Sequence, residues 1–329
     1  MKGIKIQGTG LYAPEKIITN DDFAKIVDTT DEWIYTRTGM KERHISDGEP
    51  TWFMATEAAK KAISKSGIDV QDIDAIIIST ITSDYVTPSC ACMVQRELGI
   101  ERCMAVDVNA ACAGFVYGVD MARAYLACGD IKNALVIGSE NLTKIVDYSD
   151  RGSCVLFGDG AAAAVISASD NIYASHISAD GSGAKHMVAR GLPCQNAFIE
   201  NKFSYDEKMP ESKDHFLFMD GKEVYKFATN ALPLAVREAC KKIEIEVEDI
   251  DLIIPHQANI RIIQTAAQKL KVSMDKLYVN IDKYGNTSSA SIPIALAEAY
   301  ESGRIKSGDK ICLVGFGSGL TYGAVIFEA

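Results

Sequence analysis

The chain has 329 residues, 47% of them hydrophobic and 24% charged, with a formal net charge of −10 at pH 7. That length buries a large core, as two domains or one large α/β unit, and the composition is not that of a disordered chain. The acidic balance gives no reason to expect nucleic acid or an anionic membrane surface as partner.

The N-terminal stretch "MKGIKIQGTGLYAPEK" lacks the apolar core of about 7–15 residues that marks a signal peptide. Ala58 to Ser79, "AAKKAISKSGIDVQDIDAIIIS", reads as an amphipathic helix, a turn, the tripeptide Asp-Ile-Asp and an apolar strand. "DVNAACAGF" (Asp107–Phe115) follows, where a strand-like run gives way to a helical pattern at Cys112. The helix expected over Ala111 to Cys128 contains Asp120 and Arg123, which argues against a membrane span. "ARAYLACGDIK" leads into the strand "NALVIGSE", and "LFGDGAAAAVISA" (Leu156–Ala168) reads as a glycine turn and a strand. From Lys185 to Asp220 the chain is polar, carries Pro193 and Pro210, and reads as an inserted loop, a lid or interface element.

After that loop the pattern returns. Ala235 to His256, "AVREACKKIEIEVEDIDLIIPH", aligns with Ala58 to Ser79 without a gap, at an offset of 177 residues. "AEAYESGRIK" answers "ARAYLACGDIK", and "GFGSGLTYGAVIFEA" answers "LFGDGAAAAVISA". Two such copies in extended order are not a solenoid, whose periods run about 20–50 residues. They predict a duplicated α/β fold with residues 1–172 as the N-terminal half, 173–220 connecting and 221–329 as the C-terminal half. Strands such as "AIIIST" and "LIIPH" are apolar throughout, as expected for sheets covered on both faces.

The nine cysteines are Cys90, Cys92, Cys103, Cys112, Cys128, Cys154, Cys194, Cys240 and Cys312. Their number is odd and no pair has C-x₂-C spacing, so they read as free thiols in a reducing, cytoplasmic protein. Most are core fillers. Matching Ile131-Lys132 with Ile305-Lys306 gives a local offset of 174, which pairs Cys112 with Asn286 in "YGNTSSAS" at equivalent strand-to-helix junctions. His256, in "PHQAN", follows the apolar run of the second copy. If the halves pack about a pseudo-twofold, a Cys, a His and an Asn converge on one pocket. A cysteine at a helix N-terminus gains thiolate character from the dipole. A neighbouring His and an Asn amide then supply proton transfer and oxyanion donors. The turn "GFGSG" (Gly315–Gly319) is positioned to add a backbone N–H. His44, His176, His186 and His215 have no partner motif and read as structural or surface groups. The GxG sequences precede strands rather than helices and do not form a dinucleotide fingerprint.

"ACAGF", "PHQANIRI" and "YGNTSSASIP", in that order, resemble the Cys-His-Asn motifs of the β-ketoacyl-acyl carrier protein synthase III family, and the similarity runs over essentially the whole chain. The resemblance implies a thiolase fold, a five-layered αβαβα sandwich assembled as a homodimer. It implies an acyltransferase that joins an acyl-CoA primer to malonyl-acyl carrier protein through an acyl-cysteine, with no cofactor and no metal. It carries over Cys112, His256 and Asn286 as catalytic residues, and the backbone N–H groups of Cys112 and Ser318 as an oxyanion hole. It also carries over Trp33, Arg37, Arg151 and Lys222 to CoA binding, Thr87 and Phe157 to the acyl pocket, and Lys226 and Arg261 to the carrier protein. Thr87 stands where the best-known members have an aromatic residue, which implies a longer or branched primer. Gln268-Lys269 weakens the basic patch, and Gly317-Ser318-Gly319 replaces a triple glycine. The alternatives are a starter enzyme of a polyketide or other secondary-metabolite pathway, a hydroxymethylglutaryl-CoA-type synthase, and a silent chain-length subunit. The synthase alternative needs a carboxylate near Cys112 that the sequence does not locate, and the intact triad speaks against the silent subunit.

Overall fold

The computed structural model describes residues 2–192, 198, 209–210 and 216–329. The first sheet contains β1 (Gly3–Tyr12), β2 (Ala75–Ser79), β3 (Met104–Val108), β4 (Asn133–Glu140) and β5 (Gly160–Ser169), in the spatial order β1-β5-β4-β2-β3. β2 runs parallel to both β3 and β4, while β5 is antiparallel to β4 and β1. The second sheet contains β6 (Tyr173–Ala179), β7 (Leu252–Pro255), β8 (Lys310–Gly317) and β9 (Thr321–Glu328), in the order β7-β8-β9-β6. It repeats the first, β7, β8, β9 and β6 answering β2, β4, β5 and β1. The answer to β3 is reduced to one parallel bridge between Ile253 and Leu277.

The longer helices are α1 (Asp31–Thr38), α2 (Thr51–Ser66), α3 (Cys90–Leu98), α4 (Gly114–Cys128), α5 (Gly221–Lys241), α6 (Ile260–Leu270) and α7 (Ser291–Glu301). Alternate side chains of a strand face opposite ways. Ile76, Ile78, Leu135 and Ile137 therefore pack on α2 and α3, and Ile77, Ala134 and Val136 pack inward with Phe115 and Val119 of α4 and Ile292 and Leu296 of α7. The outer face of the second sheet is covered by α5 and α6 through Leu232, Val236, Ile263 and Leu270. The layers are thus helix, sheet, helix, sheet, helix: the thiolase-type sandwich that the resemblance implied. Each fully buried Ile or Leu contributes about 1.5–3 kcal/mol of transfer free energy, so the continuous apolar strands are what this layering demands.

Two expectations are corrected. Tyr173–Ala179 is a full strand of the second sheet, paired with β9, and not part of a connector. The halves therefore meet between Ser169 and Tyr173. Most of the polar stretch between them, with Pro193, Cys194 and His215, lies outside the described residues. The repeat register also holds at 177 throughout its central part, since β4 begins at Asn133 and β8 at Lys310, and α4 at Gly114 and α7 at Ser291. The Ile-Lys match at an offset of 174 is a local coincidence. In the structural register Cys112 answers Ser289, Asn109 answers Asn286, and Ser79 answers His256.

That register governs how the halves interlock. A Cβ on Gly138 of β4 would sit 2.3 Å from the Ser289 carbonyl oxygen, and a Cβ on Gly315 of β8 would sit 3.3 Å from the Cys112 carbonyl oxygen. Each half's central strand thus receives the helix-starting turn of the other. Gly138→Ala is expected to lower stability by about 1–3 kcal/mol, because backbone on both sides must move. Gly181→Ala, with nothing within 4 Å of its Cβ, should be near neutral. Equal melting temperatures for the two variants would contradict the interlock.

Candidate active site

Cys112 lies in a one-turn 3₁₀ segment, Ala111–Ala113, that leads directly into α4. Ala111 adopts φ +47°, and in the other half Ser288, at the equivalent position before α7, adopts the same φ. A non-glycine residue held there costs about 1–3 kcal/mol, and both halves maintain it. The Cys112 thiol is 6% exposed and donates to Ser288 Oγ at 3.3 Å. Burial pushes it up to about 12, against the Ser288 hydroxyl and its own backbone N–H, which pull it down. The sequence reading expected the helix N-terminus to favour thiolate. In the fold burial is the larger influence, and Ser288 is its main opponent.

His256 follows β7 and is 1% exposed. Its Nδ1 is 2.6 Å from Ser291 Oγ, the first residue of α7, and its ring packs edge-on against Phe316 with centroids 5.3 Å apart. Burial lowers its pKa from the ordinary 6.5 to about 3, so the imidazole is neutral. Ser291 Oγ also accepts the Gln257 N–H at 3.4 Å. A Ser291 hydroxyl that gives its own proton to Nδ1 would leave Nε2 as the ring's donor.

Asn286 is 7% exposed and clamped through its backbone. Its N–H donates to Leu156 O at 2.9 Å, and its carbonyl accepts from Gly158 N–H at 3.0 Å, so that Phe157 bridges to it. Its Oδ1 accepts the Ser288 N–H at 2.9 Å. That contact fixes the amide orientation and makes Nδ2 the outward group. One tract, Asn286 to Ser291, therefore carries an amide donor, the Ser288 contact to Cys112 and the Ser291 contact to His256.

The turn after β8 closes the other side. A Cβ on Gly317 would lie 2.5 Å from Cys112 N, so the Gly317–Ser318 peptide runs against the cysteine backbone. Thr321 Oγ1 donates to Ala110 O at 2.8 Å and is within 3.1 Å of Ser318 O, which ties this turn to the Cys112 junction. Ser318 Oγ donates to Met187 O at 2.5 Å, leaving the site to its backbone N–H.

Of the expected entrance residues, the structure joins Trp33, Arg37 and Arg151 directly. Trp33 lies between two guanidinium groups, with Arg37 Cζ at 4.7 Å and Arg151 Cζ at 4.9 Å from its ring centroid. Arg151 stacks on the indole itself, so a planar ring entering between the two must displace it. Arg261 Nη2 donates to Thr36 O at 2.9 Å, joining α6 to α1. Lys222 and Lys226 are exposed on the first turns of α5, Lys226 Nζ 3.6 Å from Glu223. Phe157 is 3% exposed beside Asn286, but Thr87 is exposed on the loop between β2 and α3 and is not part of the buried cluster around Cys112.

Sequence reading missed Ser288, Ser291 and the carboxylate it sought near Cys112. Glu140, the last residue of β4, is fully buried and close enough to Cys112 that a charge on it would raise the thiol's pKa. The signal was present in the 177-residue register, which sets Glu140 opposite Gly317.

The chain matches the family descriptions 3-oxoacyl-[acyl-carrier-protein] synthase III over residues 106–181 and its C-terminal counterpart over residues 240–329. A relative from Clostridium novyi (strain NT), named β-ketoacyl-[acyl-carrier-protein] synthase III, is 48% identical over 330 residues, covering 100% of this chain and 99% of its own. The crystal structure of 3-oxoacyl-[acyl-carrier-protein] synthase III from Aquifex aeolicus VF5 superposes with a TM-score of 0.90 at 43% identity, over 99% of this chain and 100% of that one. The priming β-ketosynthase of the R1128 polyketide biosynthetic pathway gives 0.88 at 32% identity, over 99% and 96%.

Two outcomes follow from the geometry. Ser288→Ala should slow iodoacetamide alkylation of Cys112 about tenfold at fixed pH, since a hydrogen bond to a charged group contributes about 1.5–3 kcal/mol; an unchanged rate would deny Ser288 that role. The lowered His256 pKa means that the folded protein resists protonating this ring while the unfolded chain accepts the proton below about 6.5. Nitrogen NMR of labelled histidine should therefore show His256 neutral from about pH 5 to 8, and a titration midpoint inside that window would contradict the burial argument.

Proposed function

The chain belongs to the β-ketoacyl-acyl carrier protein synthase III family, the acyltransferases that initiate fatty acid synthesis by condensation, and from that premise we propose how its residues divide the work. Cys112 Sγ attacks the thioester carbonyl of an acyl-CoA. The tetrahedral oxyanion is held by the backbone N–H groups of Cys112 and Ser318. Collapse breaks the bond to CoA, which leaves as its thiol with the proton Cys112 gave up. Malonyl-acyl carrier protein then enters, and its carboxylate leaves as CO₂. The electron pair passes into an enolate whose oxygen is held by His256 Nε2–H and Asn286 Nδ2–H. The enolate carbon attacks the acyl-cysteine carbonyl, Cys112 departs as thiolate, and it takes up one proton from solvent, the proton that the overall decarboxylative condensation consumes.

The observation that carries this division is the burial of His256 with its Nδ1 against Ser291 Oγ, a setting that favours the neutral ring. A neutral imidazole with Nδ1 served by Ser291 is a donor at Nε2, suited to an enolate rather than to removing a proton from Cys112. The reaction needs no cofactor beyond these substrates. Trp33, Arg37, Arg151 and Lys222 receive CoA, the adenine entering between Trp33 and Arg151. Lys226 and Arg261 receive the acidic carrier protein, whose attraction offsets the net charge of −10.

The enzyme is proposed to act as a homodimer. Among the described residues β3 is the outermost strand of its sheet, Met104, Val106 and Val108 on it are half-buried, and Tyr85 and Val86 of the loop after β2 are exposed. An unpaired apolar edge of this kind calls for a strand from a second copy. In that assembly Thr87 would face the partner subunit's pocket, where its small side chain leaves room for a longer or branched primer. A cytoplasmic location agrees with the free cysteines, eight of them among the described residues. No helix among those residues is long and apolar enough to cross a membrane. A priming role in a secondary-metabolite pathway is supported by the likeness to the R1128 enzyme, at 32% identity against 48% for the Clostridium novyi synthase.

His256→Ala and Asn286→Ala should each lower malonyl decarboxylation about 10²–10³-fold, the usual cost of losing an oxyanion donor. Cys112→Ala should keep decarboxylation and lose condensation. Decarboxylation that survives His256→Ala intact would remove its assigned role. A primer panel from acetyl to dodecanoyl, straight and branched, should peak beyond acetyl if Thr87 opens the pocket, and an acetyl optimum would refute that.

A further inference from the structure

Glu140 stands at the C-terminal end of β4 with no exposed surface. Its Oε2 receives Thr82 Oγ1 at 2.7 Å, Ile81 N–H at 3.1 Å and Thr80 Oγ1 at 3.3 Å. Its Oε1 has a different neighbour, Ser289 Oγ at 2.8 Å, and Ser289 Oγ is also 2.8 Å from the carbonyl oxygen of Ser79. The three oxygens Ser79 O, Ser289 Oγ and Glu140 Oε1 form two short contacts. A serine hydroxyl carries one proton, and a carbonyl carries none. Two hydrogen bonds need two protons, and the missing one has a place only on Glu140 Oε1.

We propose that Glu140 is held as a neutral carboxylic acid, donating from Oε1 to Ser289 Oγ while Ser289 donates to Ser79 O, and that it thereby positions the Ser288–Ser289 turn without placing a negative charge beside Cys112. Its surroundings agree. Burial raises its pKa, and Ser288 faces it as well. No cation among the described residues bonds to it: Lys144 is engaged by Asp84, Thr51 Oγ1 and Thr82 O. The other titratable groups near this end of the strands are Cys112, Cys90 and Asp107, which accepts the N–H groups of Cys90 and Ala91. An ionised Glu140 would oppose the Cys112 thiolate and would compete for the Ser288 hydroxyl. A neutral one leaves Ser288 to the cysteine.

The pseudo-twofold explains why such a group stands there. Ser289 answers Cys112, and Glu140 answers Gly317, the residue whose missing side chain makes room at Cys112 N. In one half this position is a glycine whose backbone lies against the helix-starting turn at Cys112. In the other it is filled by the Glu140 carboxyl. A neutral acid with both oxygens engaged also lacks the basicity that a hydroxymethylglutaryl-CoA-type synthase would require.

The test has two arms. Infrared spectra of protein carrying ¹³C-carboxyl glutamate should show a protonated-carboxyl C=O band at neutral pH that is lost in Glu140→Gln. A parent spectrum with carboxylate bands alone overturns the proposal, whether or not the variant folds and independently of the role of Cys112. In the second arm, Cys112 alkylation is followed by peptide mass across pH. Glu140→Gln, which retains a donor to Ser289 and removes no charge, should give a profile superimposable on the parent. Glu140→Leu, of similar size without a donor, should cut condensation kcat while Glu140→Gln restores it. Alkylation in Glu140→Gln about tenfold faster than in the parent below the inflection, one pKa unit, would mean that a charge had been removed and would also overturn the proposal.

Discussion

The structure depends on a reciprocal contact between backbones. Gly138 of the first central strand lies against the Ser289 carbonyl, and Gly315 of the second lies against the carbonyl of Cys112. Neither strand tolerates a side chain there without moving the turn it receives. Because each helix-starting turn rests on the opposite half, residues from separate copies of the repeat are brought into one cluster. Cys112 comes from the first copy, and His256 and Asn286 come from the second. Neither half alone holds the set.

The side chains around this crossing are buried, and their titratable groups are kept neutral or hydrogen-bonded. His256 is neutral through burial, with Ser291 setting its tautomer. Asp159, also fully buried, is surrounded by N–H and hydroxyl donors from Ser46 and Thr143. Low polarisability makes each aimed donor more effective at an oxyanion than it would be in water. It also makes a stray charge costly, which is why Glu140 and Ser288 matter to a thiol they flank. The two halves present similar helix-starting turns, and only the first carries a cysteine, Cys112 where the second has Ser289.

Much of this was legible in one dimension. Helix and strand periodicity gave the layers, because strands covered on both faces must be apolar throughout. The repeat gave the convergence of Cys112, His256 and Asn286, although through a wrong step. The Ile-Lys match slipped the register by three residues, because α4 ends at Cys128 and α7 already at Glu301. Asn286 is in the site because it precedes the helix-starting turn, not because it answers Cys112. Glu140 had a place in the 177-residue register but not a legible burial, since a glutamate ending an apolar run usually reaches solvent, and only tertiary packing seals it. Thr87 shows a different limit: this chain leaves it on the surface, away from the buried cluster around Cys112.

The most direct measurement is intact-mass and peptide mapping of the protein after incubation with an acyl-CoA in the absence of malonyl carrier protein. The account predicts one acyl group per chain, carried by the peptide that contains Cys112 and absent in Cys112→Ala. An acyl group on Ser289 or on any other cysteine, or none at all, would contradict the assignment of this junction as the one that reacts.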